Sequence, residues 1–156
     1  MTGSSSLLAA ARKLMGGVPS DAEIRRAVST AYYALFHHLC ASFSEVVIHP
    51  PGAEFDRARL QAYRYLDHGP AKIRCIEVRS TGRNFPPGIV QFAIAFIELQ
   101  EKRLEADYDP AARFEAAIVS NLIDNAERAI TAHDSESPEN RRAFAIFTAL
   151  RPKGRA

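Results

Sequence analysis

Two sets of side chains carry more chemistry than packing requires. In RRAVSTAYYALFHHLC, residues 25 to 40, Arg26, Tyr33 and His37 stand among apolar neighbours. At about 100° per residue they fall within roughly 20° of one line along a helix. Ile24, Val28, Ala31, Leu35 and Leu39 take the opposite side as a core stripe, flanked by Tyr32, Phe36 and Phe43. Ala27, Ala34 and Ala41 form a small-residue seam. Such a helix is apolar around most of its circumference and belongs at the centre of a fold. Its polar line must then face a cleft, a partner helix or a second subunit.

The second set, Arg103, Asp107 and Tyr108, closes a later helix whose stripe Ile89, Phe92, Phe96 and Leu99 continues into Arg103 and Asp107. The cation precedes the acid, the weaker order for an i, i+4 pair. An acid in a last turn also opposes the helix dipole, by about 0.3–1 kcal/mol. Asp107 therefore calls for a cation from another element, with Arg26 or His37 as the expected source. The two polar lines are expected to meet. A guanidinium fixed by a carboxylate, with phenols as hydrogen-bond donors, suits phosphate binding. The competing reading is a structural network that fixes helix geometry.

Other candidates carry less. Arg64 and His68, also i, i+4, sit before Gly69, where a last-turn histidine suits the dipole without any function. Arg57, Arg59, Arg64, Lys72, Arg74, Arg79 and Arg83 make the middle of the chain basic, but Glu54, Asp56, Asp67 and Glu77 dilute any phosphate-binding patch. His38 and His49 lack companions at metal-ligand spacing, so no metal and no cofactor are expected. Cys40 and Cys75 form neither a disulfide framework nor a zinc signature, and Cys40 reads as core. No phosphate-cradling glycine loop, nucleophile elbow or catalytic carboxylate pair is present.

Helical signals place these residues. Ser4 to Ser6 can cap a first helix ending at Gly16-Gly17, and the capping box SDAE, Ser20 to Glu23, opens a long helix to about Ser44. VVIHPPG interrupts the chain, and a third helix is expected from Ala53 to His68, stopped by Gly69-Pro70. AKIRCIEVRSTGRNF has no clean period and reads as an irregular connection. Pro86-Pro87 starts a fourth helix to about Tyr108, a fifth spans Arg113 to His133, and a short one covers about 138–150. The expected class is all-α, an up-down bundle of five or six helices in one domain, residues 1–156. The 47% apolar and 24% charged composition is that of a globular domain. A net charge of +2 gives no general attraction to polyanions. The amino terminus lacks a basic signal region, and the longest apolar run, IVQFAIAFIEL, is too short to span a bilayer, so a cytoplasmic location without membrane association is expected.

RRAVSTAYYALFHHLC, followed after a helix and a loop by RLEADYDP, resembles the HEPN superfamily, in the branch with an Arg-x-x-Ala-Asp-Tyr signature. The likeness covers roughly Leu7 to His133 and rests mainly on the combination of the two motifs. It implies a homodimeric bundle with the two motif helices lining a shared groove. It also implies association with RNA or nucleotides, or partnership with a nucleotidyltransferase, in toxin–antitoxin or defence-type systems. Catalytic members carry a histidine four to six residues after the arginine that Arg103 matches. Here Asp107 and Tyr108 stand in its place. The leading expectation is therefore a binding module at Arg26, Tyr33 and Arg103. The alternatives are a metal-independent endoribonuclease using Arg103 and Asp107 with His37 or Tyr108, and a structural dimer without a ligand.

Overall fold

The computed structural model describes residues 3–48, 52–81 and 85–150. Those residues form seven α-helices and no strand: α1 Ser4–Leu14, α2 Asp21–Val47, α3 Asp56–Tyr63, α4 His68–Thr81, α5 Pro87–Tyr108, α6 Ala116–Asp134 and α7 Pro138–Ala149. A 3-10 turn, Ala53–Phe55, leads into α3. The all-helical class is as expected, and among the described residues there is one more helix than the five or six anticipated. No described helix is long and apolar enough to cross a membrane. His49 and Arg83 lie outside the described residues.

Helix α2 is the axis of the bundle and packs against α1, α3, α5, α6 and α7. Its start is set by the capping box: Glu23 N–H donates to the Ser20 hydroxyl, and Ser20 N–H donates to the Glu23 carboxylate. Ile24, Val28, Ala31, Leu35 and Leu39 are buried as the wheel requires. Ala27 and Ala34 of the small-residue seam are fully buried. Against them lie Ile89, Phe92, Phe96 and Leu99 of α5, all buried, with Val119, Ile123 and Ala126 of α6 completing the core.

The additional helix is α4, where an irregular connection was expected. Gly69-Pro70 does not end α3 but occupies the first turn of α4. Proline is tolerated there because the N–H it lacks would have had no intrahelical acceptor. α3 already stops at Tyr63, so His68 opens a helix instead of closing one. Ala71, Cys75 and Val78, at i, i+4 and i+7, are fully buried against α5. Cys40 is likewise buried, and both cysteines are free.

Backbone contacts join the helix ends. Gly88, in the first turn of α5, donates its N–H to a Glu136 carboxylate oxygen at 2.8 Å, which satisfies an unpaired donor and suits the positive end of the dipole. A Cβ on Gly88 would lie 2.5 Å from the Ala132 carbonyl oxygen and 2.6 Å from Glu136 Oε1. Gly88→Ala should therefore force α5 away from α6 and cost about 1–3 kcal/mol, as overpacking does. Urea unfolding followed by circular dichroism measures this, and an unchanged midpoint would contradict the close approach.

Candidate functional site

The two polar lines meet through Tyr33 and Arg103, though Asp107 does not take its partner from Arg26 or His37. Arg103, on α5, is the centre. Its Nε lies 2.9 Å from Asp107 Oδ2, and its side chain is only 14% exposed. The Nε–H is not aimed along that contact, so the pair is ionic and not hydrogen-bonded. A terminal nitrogen donates to the Tyr33 hydroxyl on α2 at 3.1 Å. The guanidinium carbon sits 5.7 Å from the Tyr32 ring centroid, 5.5 Å from Tyr33 and 5.9 Å from Tyr108. Such distances are those of cation–π attraction. Burial works against the charge, but Tyr33, Asp107 and Tyr108 outweigh it, and the Arg103 pKa is raised.

Asp107 takes its inter-helix partner from Ser29 of α2, whose hydroxyl donates to Oδ1. Arg26, the expected source of a cation, is exposed and makes no side-chain contact with this cluster. The neighbouring arginine reaches α5 instead. Arg25 Nη1 donates to the carbonyls of Ala106 at 3.1 Å and Asp109 at 2.9 Å. Its Nη2 donates to Ala112, and its Nε to Asp21 at 2.8 Å. Arg25 thus neutralises the carbonyl end of α5, as a cation at a helix C-terminus should. Phe114 covers it at 5.9 Å.

His37, the other expected partner of Asp107, pairs through Nδ1 with the Tyr63 hydroxyl of α3. A second imidazole arrives from α4. Tyr32, which is fully buried, pairs through its hydroxyl with His68 Nδ1 at 2.6 Å, while Phe36 stacks on the His68 ring at 3.8 Å between centroids. Tyr33 lies 6.1 Å from both imidazole rings. In each histidine Nδ1 carries the structural contact, and among the described residues Nε2 has no hydrogen-bond partner. Burial lowers the pKa of both. The Arg103 charge and His37 lower His68 further, with Asp67 opposing. Both rings are therefore neutral near pH 7, each with one nitrogen able to accept a proton. Tyr108 is 72% exposed at the rim.

Of the residues expected at the site, Arg103, Asp107, Tyr33, Tyr108 and His37 gather around the Tyr33–Arg103 contact, and Arg26 does not join them. Ser29, Tyr32, Tyr63 and His68 complete the group unforeseen. For Ser29 there was a signal in the sequence: Arg25, Ser29, Tyr33 and His37 recur every four residues. His68 had none beyond its residue type, since α4 itself was not foreseen. Arg64 is exposed and apart from the cluster. His38 turns the other way, towards His133 and Asp134 of α6, companions its place in the sequence does not disclose. In comparisons with known proteins, no family model matches the chain, and neither curated proteins nor solved structures give a significant match.

The histidines also set a pH dependence. A pKa lowered on folding means that the unfolded chain binds more protons between the folded value and the ordinary one of about 6.5. The contribution of His68 is thus complete above that range and is lost as pH falls through it. The melting temperature should fall between pH 7.5 and 5, and less steeply in His68→Gln than in wild type. Equal slopes, read by differential scanning calorimetry, would contradict the buried neutral imidazole.

Proposed function

We propose that the chain is a HEPN-like binding module that takes a phosphate group of RNA or of a nucleotide at Arg103. What carries the reading is a guanidinium held in place by its own helix and by α2, with aromatic faces around it. Asp107 and Tyr33 engage Nε and one terminal nitrogen. Among the described residues the other terminal nitrogen has no acceptor. Such preorganisation favours a planar two-pronged contact with phosphate, while Tyr33 and the exposed Tyr108 offer faces for a base. Leu104 and Tyr108 are exposed one turn apart beside the cluster. A second copy laid over them would cover the Arg103 cluster, in keeping with the homodimer that the HEPN likeness implies. A nucleotidyltransferase is the protein partner that likeness suggests.

The second reading is a metal-independent endoribonuclease. It is favoured by one observation, the two neutral imidazoles within reach of Tyr33. His37 or His68 would replace the histidine missing after Arg103 as the base that takes the proton from a ribose hydroxyl, and the imidazolium so formed would return that proton to the leaving oxygen. Arg103 would stabilise the charge on phosphorus.

Fluorescence anisotropy with a labelled single-stranded RNA, in EDTA and at several salt concentrations, separates the two. Binding should weaken as salt rises and fall at least about tenfold in both Arg103→Ala and Arg103→Lys, because an ammonium cannot reproduce the planar contact. Cleavage in EDTA that is lost in Arg103→Ala and in His68→Ala would select the nuclease. Equal RNA and nucleotide binding by wild type and Arg103→Ala would overturn both.

A further inference from the structure

Away from Arg103, on the side of α2 that faces α6, three ligating atoms converge. His38 Nε2 lies 3.0 Å from His133 Nδ1 and 3.1 Å from Asp134 Oδ1, and His133 Nδ1 lies 3.1 Å from the same Oδ1. The triangle is almost equilateral. Hydrogen bonds cannot span all three edges at once. An ionised carboxylate oxygen donates nothing, and each ring nitrogen carries at most one hydrogen. If one nitrogen is protonated, the other nitrogen and the oxygen meet lone pair to lone pair, and if both donate to the oxygen, the two nitrogens stand 3.0 Å apart with no bond between them. Three ligating atoms this close together suit a cation.

The dimensions narrow the kind of cation. With bonds of about 2.1 Å, adjacent donors lie about 3.0 Å apart on an octahedral face and about 3.4 Å apart around a tetrahedral centre. The three observed separations match the face. Two imidazoles and one carboxylate are donors for first-row transition metals, not for calcium or magnesium, which favour oxygen. We infer that His38, His133 and Asp134 form a site for one divalent first-row transition-metal ion, bound on one face with its remaining positions open.

The surroundings agree. Glu45 reaches His38 electrostatically and Glu136 reaches His133, both favouring a cation, while Arg141 opposes it. His133 is 1% exposed, wedged against Phe92 and Phe144 at 5.2 and 6.1 Å, which fixes its ring. Asp134 is half exposed and leaves an entry from solvent. One and two turns along the same face of α2 from His38, Ser42 and Glu45 line a cavity of about 300 Å³ shared with Pro138, Arg141 and Arg142 of α7. The site is independent of the Arg103 reading. His37 and His38 point to different helices, and phosphate binding at Arg103 needs no metal.

Titrating the metal-free protein with Co²⁺, read by visible absorption, tests the inference. One Co²⁺ per chain should bind, with the weak bands of a five- or six-coordinate ion, and Zn²⁺ should displace it. His38→Ala and Asp134→Asn should each weaken binding at least about tenfold, whereas His68→Ala should leave it unchanged. Asp134 is exposed enough for its variant to keep the fold, so Asp134→Asn decides the matter if His38→Ala unfolds. Absence of Co²⁺, Zn²⁺ and Ni²⁺ binding at millimolar metal would overturn the site, as would undiminished affinity in Asp134→Asn.

Discussion

A single guanidinium, Arg103, ties the two central helices together. It lies where the apolar stripe of α5 ends, mostly shielded from water, and it cannot lose its charge. A cation in such a place must find partners, and each of them constrains the fold. Asp107 holds it from one turn further along α5, and Tyr33 holds it from α2. Ser29 in turn engages Asp107, so the acid is shared between the helices. Tyr32 pairs with His68 and brings the start of α4 under the same cluster. Removing one member would strand its neighbours as partly buried polar groups, which costs more than the net gain from forming such contacts. The network fixes how α2 and α5 cross, and it leaves Tyr108 and one end of Arg103 at the surface.

How α2 presents its polar residues follows from helix geometry. The wheel singles out Arg26, Tyr33 and His37, which lie on a line parallel to the axis. The contacts instead follow Arg25, Ser29, Tyr33 and His37, a row spaced by four. Rows of i±4 are the ridges of a helix surface and slant by about 26° to the axis, the direction along which a packed neighbour runs. Arg25 at the head of the row therefore meets the carbonyl end of α5, Ser29 and Tyr33 meet Asp107 and Arg103, and His37 meets Tyr63 of α3. Arg26, one position off the ridge, faces solvent. A line parallel to the axis finds the right face of the helix but the wrong arginine.

Much of the bundle was legible because its helices begin and end with strong local chemistry. The capping box at Ser20, the proline at the start of α5 and the span of α7 each appear as the sequence predicts. α4 was hidden for a physical reason. Its buried side chains Ala71, Cys75 and Val78 are small, and Lys72, Arg74, Glu77 and Arg79 stand between them, so its apolar period is faint. Gly69-Pro70 then read as a stop, when proline in a first turn is equally a start. With α4 unseen, His68 had no helix to place it near Tyr32. The contacts of His38 with α6 were hidden in another way, because residues 95 apart come together only through the packing of α6 on α2.

The account stands on the coupling between Tyr33 and Arg103 across α2 and α5. A double-mutant cycle with Tyr33→Phe and Arg103→Gln, followed by urea unfolding, measures it directly. Coupled residues in one network give interaction energies of about 0.5–3 kcal/mol. The two substitutions together should cost less than the sum of the single costs by an amount in that range. Additivity within error would mean that the hydroxyl and the guanidinium act independently, and that the junction of the two helices is held by packing alone.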